Sequence, residues 1–373
     1  TFIAVLLFGR YADGRAREAL CAASLLSGFM FQTVLWGALR WAGAGYGAVV
    51  AAHCAASAVL GIMALRGAAG RAAFMGAMRS FFSAEAAAFL ALAVLLAALF
   101  TYDSVPLYYG DELLRMSMAW SAGNGLPAQN ILVWTGVLKY YYAAEFFAGS
   151  ASAVTGAPLE TVYFRFFLPL NWTLLFFGIR GVLAQYKPGF RRYVPHAAFL
   201  LFFVSHVNML THFTFRQNTL AVGLAALSVS AAWTCLSGGG GPLLLVCAAS
   251  PALVTLVKAP CGALLLVFFC ALVLLGAVRG HIGKTGAAAA AVSSMALWYL
   301  AYRSFCGGGF RDAGSLLGLG AVMGSMPEFL PEYIAPPALL SALPDMFGAA
   351  GGLMAGALVT AENLLSFLVI GAV

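Results

Sequence analysis

Long apolar runs, separated by short charged loops, constrain this chain more than any other feature of its sequence. Of its 373 residues, 62% are hydrophobic and only 9% are charged. Soluble domains carry about 25% charged residues, so a water-soluble globular fold is excluded. Because one membrane crossing takes roughly 20 residues, the sequence predicts an all-α, polytopic transmembrane protein with about 10–12 crossings.

The individual runs set the predicted positions of the helices. They lie near 1–9 (incomplete), 19–39, 46–66, 84–101, 160–183, 194–210, 218–236, 242–257, 260–279 and 285–302, with further runs between 335 and 373. The first run is cut short at Thr1, and Val373 falls inside the last one. We therefore expect the chain to be a piece of a longer protein, with residues missing at both ends.

Basic residues predict the orientation of these helices, because Lys and Arg concentrate in cytoplasmic loops. Four basic clusters are assigned to the cytoplasm: Arg10–Arg17, Arg66–Arg79, Lys187–Arg192 and Arg279–Lys284. The net charge of +7 comes with no basic run interleaved with aromatics, so no nucleic-acid partner is expected. The loop 102–158 then lies outside. Since only the crossing 160–183 fits between it and Lys187, residues 137–155 must lie along the outer surface or re-enter from it.

Two adjacent carboxylates in this outer loop, Asp111 and Glu112, are the strongest candidates for chemistry, and Asp103 precedes them. An acidic pair can hold a divalent metal ion, or one member can act as a general base. A structural role is the alternative, because an Asp at a helix start caps backbone N–H groups and both acids favour the positive end of the helix.

Cationic side chains stand at the predicted outer ends of several helices: His212, Arg216, Lys258 and Arg303. A cation within a membrane costs roughly 2.5–3.5 kcal/mol on insertion scales, so it normally has a partner or a function. Grouped around one outer cavity, these side chains would suit a lipid phosphate or pyrophosphate. Snorkelling to lipid headgroups is the alternative for Lys258 and Arg303, whereas the polar neighbours of Arg216 favour a site.

The motifs after the acidic pair come in a recognisable order. They are Arg115-x4-Trp120, Gly123-Asn-Gly-Leu-Pro127, Gly136-x-Leu-Lys-Tyr140-Tyr-Tyr142, Val154-Thr-Gly-Ala-Pro158, Arg216-Gln-Asn-Thr-Leu-Ala and Leu256-Val-Lys258-Ala-Pro260. This order resembles the GT-C superfamily of integral-membrane glycosyltransferases, and within it the uncharacterised bacterial and archaeal branch marked by a Tyr-Tyr-Tyr triplet. The chain departs from the commonest pattern in having three apolar runs before the acidic loop and no aromatic-Pro-Pro run before the tyrosines.

The resemblance implies a single transmembrane domain over 1–373. Within it, 84–300 would form a GT-C-like core whose first loop, 102–158, is helical and extracytoplasmic. Residues 1–83 would add N-terminal helices and 301–373 C-terminal ones. The implied activity is transfer of a sugar from a polyprenyl-phosphate-linked donor to an acceptor, on the extracytoplasmic face of the cytoplasmic (inner) membrane.

The resemblance also implies roles for residues. Asp111, or Glu112 close behind it, would deprotonate the acceptor hydroxyl. The donor phosphate would be held by Arg216, Lys258 and Arg303. The rest of the expected substrate-binding set is Asp103, Lys139, Tyr140, Tyr141, Tyr142 and His212, with the tyrosines lining the lipid or sugar entrance. A divalent metal ion is left open, with Asp111 and Glu112 as its ligands if one binds.

Two other functions stay open. A transporter or flippase for lipid-linked substrates predicts charged residues deep within the crossings, whereas the charges here cluster at helix ends and in one outer loop. A non-catalytic lipid-binding scaffold for cell-envelope assembly would keep the two acids only as helix caps.

Overall fold

The computed structural model describes residues 2–8, 17–102, 110–128, 142–186, 216–236 and 241–305. All of them belong to one compact unit, formed by residues 1–195 and 215–307. Within these ranges the chain is helical and contains no strand. The all-α prediction is therefore confirmed for the described part of the chain.

Twelve helices are described, numbered here in chain order. They are α1 (Phe2–Phe8), α2 (Arg17–Trp41), α3 (Tyr46–Leu65), α4 (Ala68–Phe81), α5 (Ala84–Tyr102), α6 (Gly110–Asn124), α7 (Ala143–Thr155), α8, α9 (Arg216–Leu236), α10 (Gly241–Val257), α11 (Ala259–Val278) and α12 (Lys284–Phe305). Helix α8 begins as Leu159–Thr161, passes through a π-helical turn at Val162–Phe166 and continues as Phe167–Tyr186.

The apolar runs predict these bounds closely. Each predicted helix in the described ranges starts and ends within three residues of an observed one. The run 194–210 and the runs beyond 335 lie outside the described residues. Among the described residues, three stretches are long and apolar enough to cross a membrane, namely Glu18–Trp41, Tyr46–Leu65 and Cys261–Val278, and they indicate a membrane protein. Shorter apolar helices cover Pro169–Ala184, Leu220–Cys235 and Leu244–Val257.

The segment between the third and fourth apolar runs is predicted to be a basic loop. This prediction is wrong, because most of the segment forms helix α4 (Ala68–Phe81). This helix is amphipathic: Ala73, Ala77 and Ser80 are buried on one face, while Arg71 and Arg79 are exposed. The spacing of the buried residues is that of a single helical face. The face is built from small side chains, which give a weak hydropathy signal, and so the helix resembles a loop in sequence.

Helices α8 and α9 pack closely at the centre of this unit. A Cβ atom added at Gly178 of α8 would lie 2.6 Å from the Cβ of Ala226 and 2.8 Å from the backbone N of Leu227 on α9. Nearby, Gly181 leaves room for Ser230 of α9 and Ala22 of α2. Small residues at such positions let helix backbones approach closely, so these glycines fix the distance between the central helices.

An ion cluster around the buried Arg180 joins the ends of four helices, and of its two acids Glu18 is buried while Glu85 is 40% exposed. The guanidinium group of Arg180 (α8) lies 3.4 Å from Glu18 (α2) and 3.5 Å from Glu85 (α5). It also donates a 2.8 Å hydrogen bond to the hydroxyl of Ser83, in the turn between α4 and α5. Both acids lie in the first turn of their helices, where the helix dipole favours negative charge. The cluster therefore ties together helix ends that all carry predicted cytoplasmic residues.

Candidate functional site

The predicted acidic pair lies at the start of helix α6. This helix begins at Gly110, so Asp111 and Glu112 occupy its first turn. Because Gly110 is already helical, Asp111 lies inside the first turn and not at the N-cap position, although the helix dipole still favours both acids there. The side chains of both residues lie outside what the structure describes, so each role stays a prediction.

Two residues from the N-terminal helices hold the other end of α6. Arg40 donates hydrogen bonds from Nη2 to the backbone oxygens of Asn124, at 2.6 Å, and Gly123, at 3.3 Å. The hydroxyl of Tyr46 donates to the same Gly123 oxygen at 2.6 Å, and the Arg40 guanidinium carbon lies 4.3 Å from the centre of its ring. The last carbonyls of a helix have no partners within it, so this pair of side chains anchors α6 to α2 and α3.

Helices α6 and α7 meet at a pair of glycines. A Cβ atom added at Gly123 would lie 2.9 Å from the backbone of Gly149, and one added at Gly149 would collide with the backbone oxygen of Ala119. Neither position can accept a larger residue without a shift of the backbone. The two helices therefore form one closely packed pair, which we call the α6–α7 pair.

A buried salt bridge crosses the same contact. The Nη1 atom of Arg115 (α6) lies 3.3 Å from Oε1 of Glu145 (α7), and the Glu145 side chain is fully buried. Arg115 follows Asp111 by four residues, which places the two on the same face of α6. The pair therefore fixes α7 to the helix turn that follows the predicted catalytic acids.

The segment predicted to lie along the outer surface, or to re-enter from it, includes helix α7. Residues 143–150 are all buried, and Tyr142, which precedes them, is only 5% exposed. A helix lying open on a surface would leave one face exposed. Residues 143–150 of α7 are instead enclosed by other parts of the chain, and the position of the helix relative to a membrane stays a prediction.

Tyr142 lines an apolar cavity of about 310 Å³, which we call the helix-end cavity. Its wall includes Trp41 at the end of α2, Leu256 near the end of α10 and Phe305 at the end of α12. The ring of Phe305 lies 6.1 Å from that of Tyr142 and 6.4 Å from that of Trp41, measured between ring centres. Three helix ends and the start of α7 thus surround one space with walls suited to an apolar chain.

The environment of Tyr142 keeps its phenol neutral. Burial raises the pKa of Tyr142 above its usual value, and a hydrogen bond with the backbone of Ala128 offsets part of that change. A neutral phenol on an apolar wall offers a polar contact without a charge.

Two of the predicted phosphate-binding cations lie close in sequence to the wall of this cavity. Lys258 is the single extended residue between α10 and α11, and it follows Leu256 by two positions. Arg303 lies in the last turn of α12, two residues before Phe305. It is exposed, and its Nη1 donates a 3.1 Å hydrogen bond to the hydroxyl of Tyr299.

The structure leaves the other predicted residues without a described side chain. Arg216 is the first residue of α9, and only its backbone is described. Five residues lie outside the described ranges: Asp103, Lys139, Tyr140, Tyr141 and His212. Among the residues that the structure covers, no group of three or more His, Cys, Asp or Glu side chains gathers as a metal site would require.

Glu145 and Arg180 are the functional candidates that sequence reasoning missed. Both are ionisable residues within apolar segments, a pattern that marks a partner or a function in a membrane protein. That pattern is visible in the sequence around each of them. The sequence does not show which residues they pair with, because Glu145 is 30 positions from Arg115 and Arg180 is 162 positions from Glu18.

The chain was compared with protein-family models, with curated proteins and with solved structures. The chain matches no protein-family model, no curated protein and no solved structure.

Proposed function

We propose that this chain is a multi-pass protein of the cytoplasmic membrane, with about 10–12 crossings, and that it transfers a sugar from a polyprenyl-phosphate-linked donor to an acceptor on the extracytoplasmic face. The observation that carries the proposal is the helix-end cavity. Its apolar walls suit a section of isoprenoid chain, and Tyr142 lines it. Lys258 and Arg303, each two residues from a wall residue, are suited to the phosphate.

The reaction assigns one role to each group. Asp111 or Glu112 takes the proton of an acceptor hydroxyl, and the resulting oxygen attacks the anomeric carbon of the sugar. The bond from that carbon to the phosphate oxygen breaks, and polyprenyl phosphate leaves with both bonding electrons. Arg216, Lys258 and Arg303 stabilise the negative charge that the phosphate gains.

The salt bridge between Arg115 and Glu145 would hold the proposed base and the proposed donor site in a fixed relative position. It joins α7, whose first residues line the helix-end cavity, to the turn of α6 that follows the acids. Chemistry of this kind depends on holding the base and the donor within a fraction of an ångström of their working geometry. We assign Arg115 and Glu145 as positioning residues.

The two alternative functions differ from this one in what they require. A transporter needs charges deep in its crossings, whereas the Arg180 cluster involves acids in the first turns of α2 and α5. A scaffold needs a lipid site but no base. Substitution of Asp111 or Glu112 therefore distinguishes the two functions, because it should abolish the activity of a transferase but not lipid binding by a scaffold.

The test uses the purified full chain in liposomes, with a panel of radiolabelled polyprenyl-phosphate sugars. Turnover by the native chain is compared with turnover by Asp111→Asn and Glu112→Gln. We expect at least one of these variants to lose about 10²–10⁴-fold in rate, which is the usual contribution of a general base. Glu160→Gln is the matched control, because Glu160 is an exposed acid at the start of α8.

The result that contradicts the proposal is binding without turnover by the native chain, or turnover that neither acid affects. Binding alone would favour the scaffold. Equal loss in Glu160→Gln would show that any change of charge in this region impairs the protein, and would remove the case for a base.

A further inference from the structure

One face of helix α4 is both basic and apolar. Arg71, Met75 and Arg79 are spaced by four residues, so they share one side of the helix, and all three are exposed. Phe82, the capping residue at the end of the helix, is 82% exposed. We call these four residues the α4 outer face, since they lie opposite the buried face of small residues. Nothing in the proposed transfer reaction uses them.

The segment that carries this face has only positive charge. Arg66, which follows the last residue of α3, is also exposed. The segment 66–84 therefore holds three arginines, and it contains no Asp or Glu. The first acid after it, Glu85, lies 3.5 Å from Arg180 and belongs to that cluster. A surface of this kind attracts an anionic partner.

The guanidinium of Arg71 is held in place over the end of α3. Its Nη1 group donates hydrogen bonds to the backbone oxygens of Leu65, at 3.0 Å, and Arg66, at 3.3 Å. A guanidinium carries five N–H donors in a planar fork, and these two bonds come from one of its three nitrogens. The Nη2 and Nε groups can meet a phosphate through two parallel N–H···O bonds. Because Arg71 is exposed, such a ligand can reach it.

The exposed apolar side chains indicate that the anionic partner is a lipid surface. Phe82 and Met75 are 82% and 51% exposed. Large apolar side chains beside arginines are typical of helices that lie in the headgroup layer of a membrane. There the apolar groups enter the boundary of the acyl chains, while the arginines reach the phosphates. An acidic protein would match the arginines but gives no reason for a phenylalanine at this exposure.

The neighbouring helices set the level at which α4 lies. Two-residue links join it to α3 and to α5, which match the predicted crossings 46–66 and 84–101. Its 14 residues span about 21 Å, which is too short for a hydrocarbon core of about 30 Å. A helix tied so closely to the ends of two crossings stays at the membrane surface, and the basic residues predict that this surface is the cytoplasmic one.

We propose that the α4 outer face binds the headgroup of an anionic phospholipid in the cytoplasmic leaflet. Arg71 and Arg79 contact the phosphate, and Met75 and Phe82 lie between the acyl chains. The proposal rests on the chain crossing the membrane, and it does not depend on the transferase activity.

The test places an environment-sensitive dye on this face. In a chain whose seven native cysteines are replaced by alanine, the dye is attached at Ala72→Cys, an exposed position next to Arg71. The purified full chain in detergent is titrated with phosphatidylglycerol, which is anionic, and with phosphatidylcholine, which has no net charge. We expect half-saturation by phosphatidylglycerol at a concentration at least about tenfold lower. Salt at about 1 M should remove most of this difference.

Arg79→Gln removes one of the two proposed phosphate contacts. We expect it to raise the half-saturating concentration of phosphatidylglycerol roughly fivefold, the usual contribution of one arginine at an anionic surface, and to leave that of phosphatidylcholine unchanged. Phe82→Ser removes only an apolar contact, so it should weaken binding of both lipids by the same factor. Arg165→Gln is the matched control, because Arg165 is an exposed arginine in the π-helical turn of α8. It should leave the dye response unchanged.

Each outcome decides the proposal. A preference for phosphatidylglycerol that Arg79→Gln reduces and Arg165→Gln retains supports it. Equal binding of both lipids, unchanged binding by Arg79→Gln, or an equal loss in Arg165→Gln overturns it. A dye response to poly-glutamate but not to phosphatidylglycerol would assign the face to an acidic protein, and it also overturns the proposal.

A second measurement covers failure of the cysteine-free chain to fold, as judged by size exclusion. Native mass spectrometry then counts the phosphatidylglycerol molecules bound by the native chain and by Arg79→Gln. Fewer molecules on the variant support the proposal, and equal counts overturn it.

Discussion

At the scale of single residues, the buried salt bridge between Arg115 and Glu145 is expected to contribute strongly to stability. Arg115→Met removes the cation that lies 3.3 Å from the fully buried Glu145 carboxylate. Removing one partner of a buried pair typically costs about 3–5 kcal/mol, and we expect a loss of that size in the free energy of unfolding, measured by denaturant titration in micelles.

Arg303→Met is the matched control for this substitution. Arg303 is exposed, and we expect its replacement to change the free energy of unfolding by no more than about 0.5 kcal/mol. Equal effects of the two substitutions would show that the Arg115–Glu145 pair does not hold α6 against α7.

The phenol of Tyr142 predicts a change of stability with pH. Its pKa is raised by burial, so the folded chain holds the phenolic proton more tightly than the unfolded chain does. Below pH about 10, which is the pKa of a free tyrosine, both states keep the proton and this stabilisation is complete. Above it the unfolded state ionises first, and stability falls as pH rises through the raised pKa.

Tyr142→Phe has no phenol to ionise, so it removes the contribution of this group to the loss of stability at high pH. We expect the melting temperature of the variant to decline less steeply than that of the native chain between pH about 9 and 11. Equal slopes would contradict the buried, neutral phenol at the wall of the helix-end cavity.

The residues of the candidate site could be predicted only in part. The position of Asp111 and Glu112 at a helix start follows from local sequence, since acids concentrate there for electrostatic reasons. The pairing of Glu145 with Arg115 does not follow from local sequence, because it depends on how α6 packs on α7. Tyr142 was predicted from its motif, but its burial follows from contacts with Phe305, far away in the sequence.

At the scale of helices, the apolar runs predict bounds well because each run ends where charged and glycine residues begin. The same reasoning fails for α4, whose buried face consists of small residues. It also leaves the burial of α7 undecided, because an apolar segment after a tyrosine triplet suits either a membrane surface or an interior. Length and composition do not distinguish the two environments.

The glycine contact between α6 and α7 gives the prediction that belongs to this scale. Gly149→Ala places a methyl group against Ala119 and Gly123, and overpacking of this kind costs about 1–3 kcal/mol. We expect a loss of that size in the free energy of unfolding.

Gly47→Ala is the control, because Gly47 is an exposed glycine in α3 with nothing within 4 Å of an added Cβ atom. There the change should stabilise the protein by about 0.5–1 kcal/mol, through better helix propensity. The same sign of effect at both positions would contradict the close packing of the α6–α7 pair.

At the scale of the described unit, contacts sort the helix ends into two groups. One group surrounds Arg180 and joins the starts of α2 and α5 to the end of α4. The other surrounds the helix-end cavity and joins the ends of α2, α10 and α12 to the start of α7. The positive-inside argument predicts that the first group lies on the cytoplasmic side and the second on the outer side.

The central claim is that the helix ends carrying the site residues share one outer face, and cysteine accessibility tests it most directly. In a chain whose seven native cysteines are replaced by alanine, single cysteines are introduced at Gly45, Asn124, Arg303, Gly67 and His281, all of which are exposed. A membrane-impermeant maleimide is then applied to intact cells and to inverted vesicles.

We expect Gly45→Cys, Asn124→Cys and Arg303→Cys to react in intact cells, and Gly67→Cys and His281→Cys to react only in inverted vesicles. Labelling of Asn124→Cys from the cytoplasmic side, or of Arg303→Cys and Gly45→Cys from opposite sides, would contradict a single outer face and with it the proposed site.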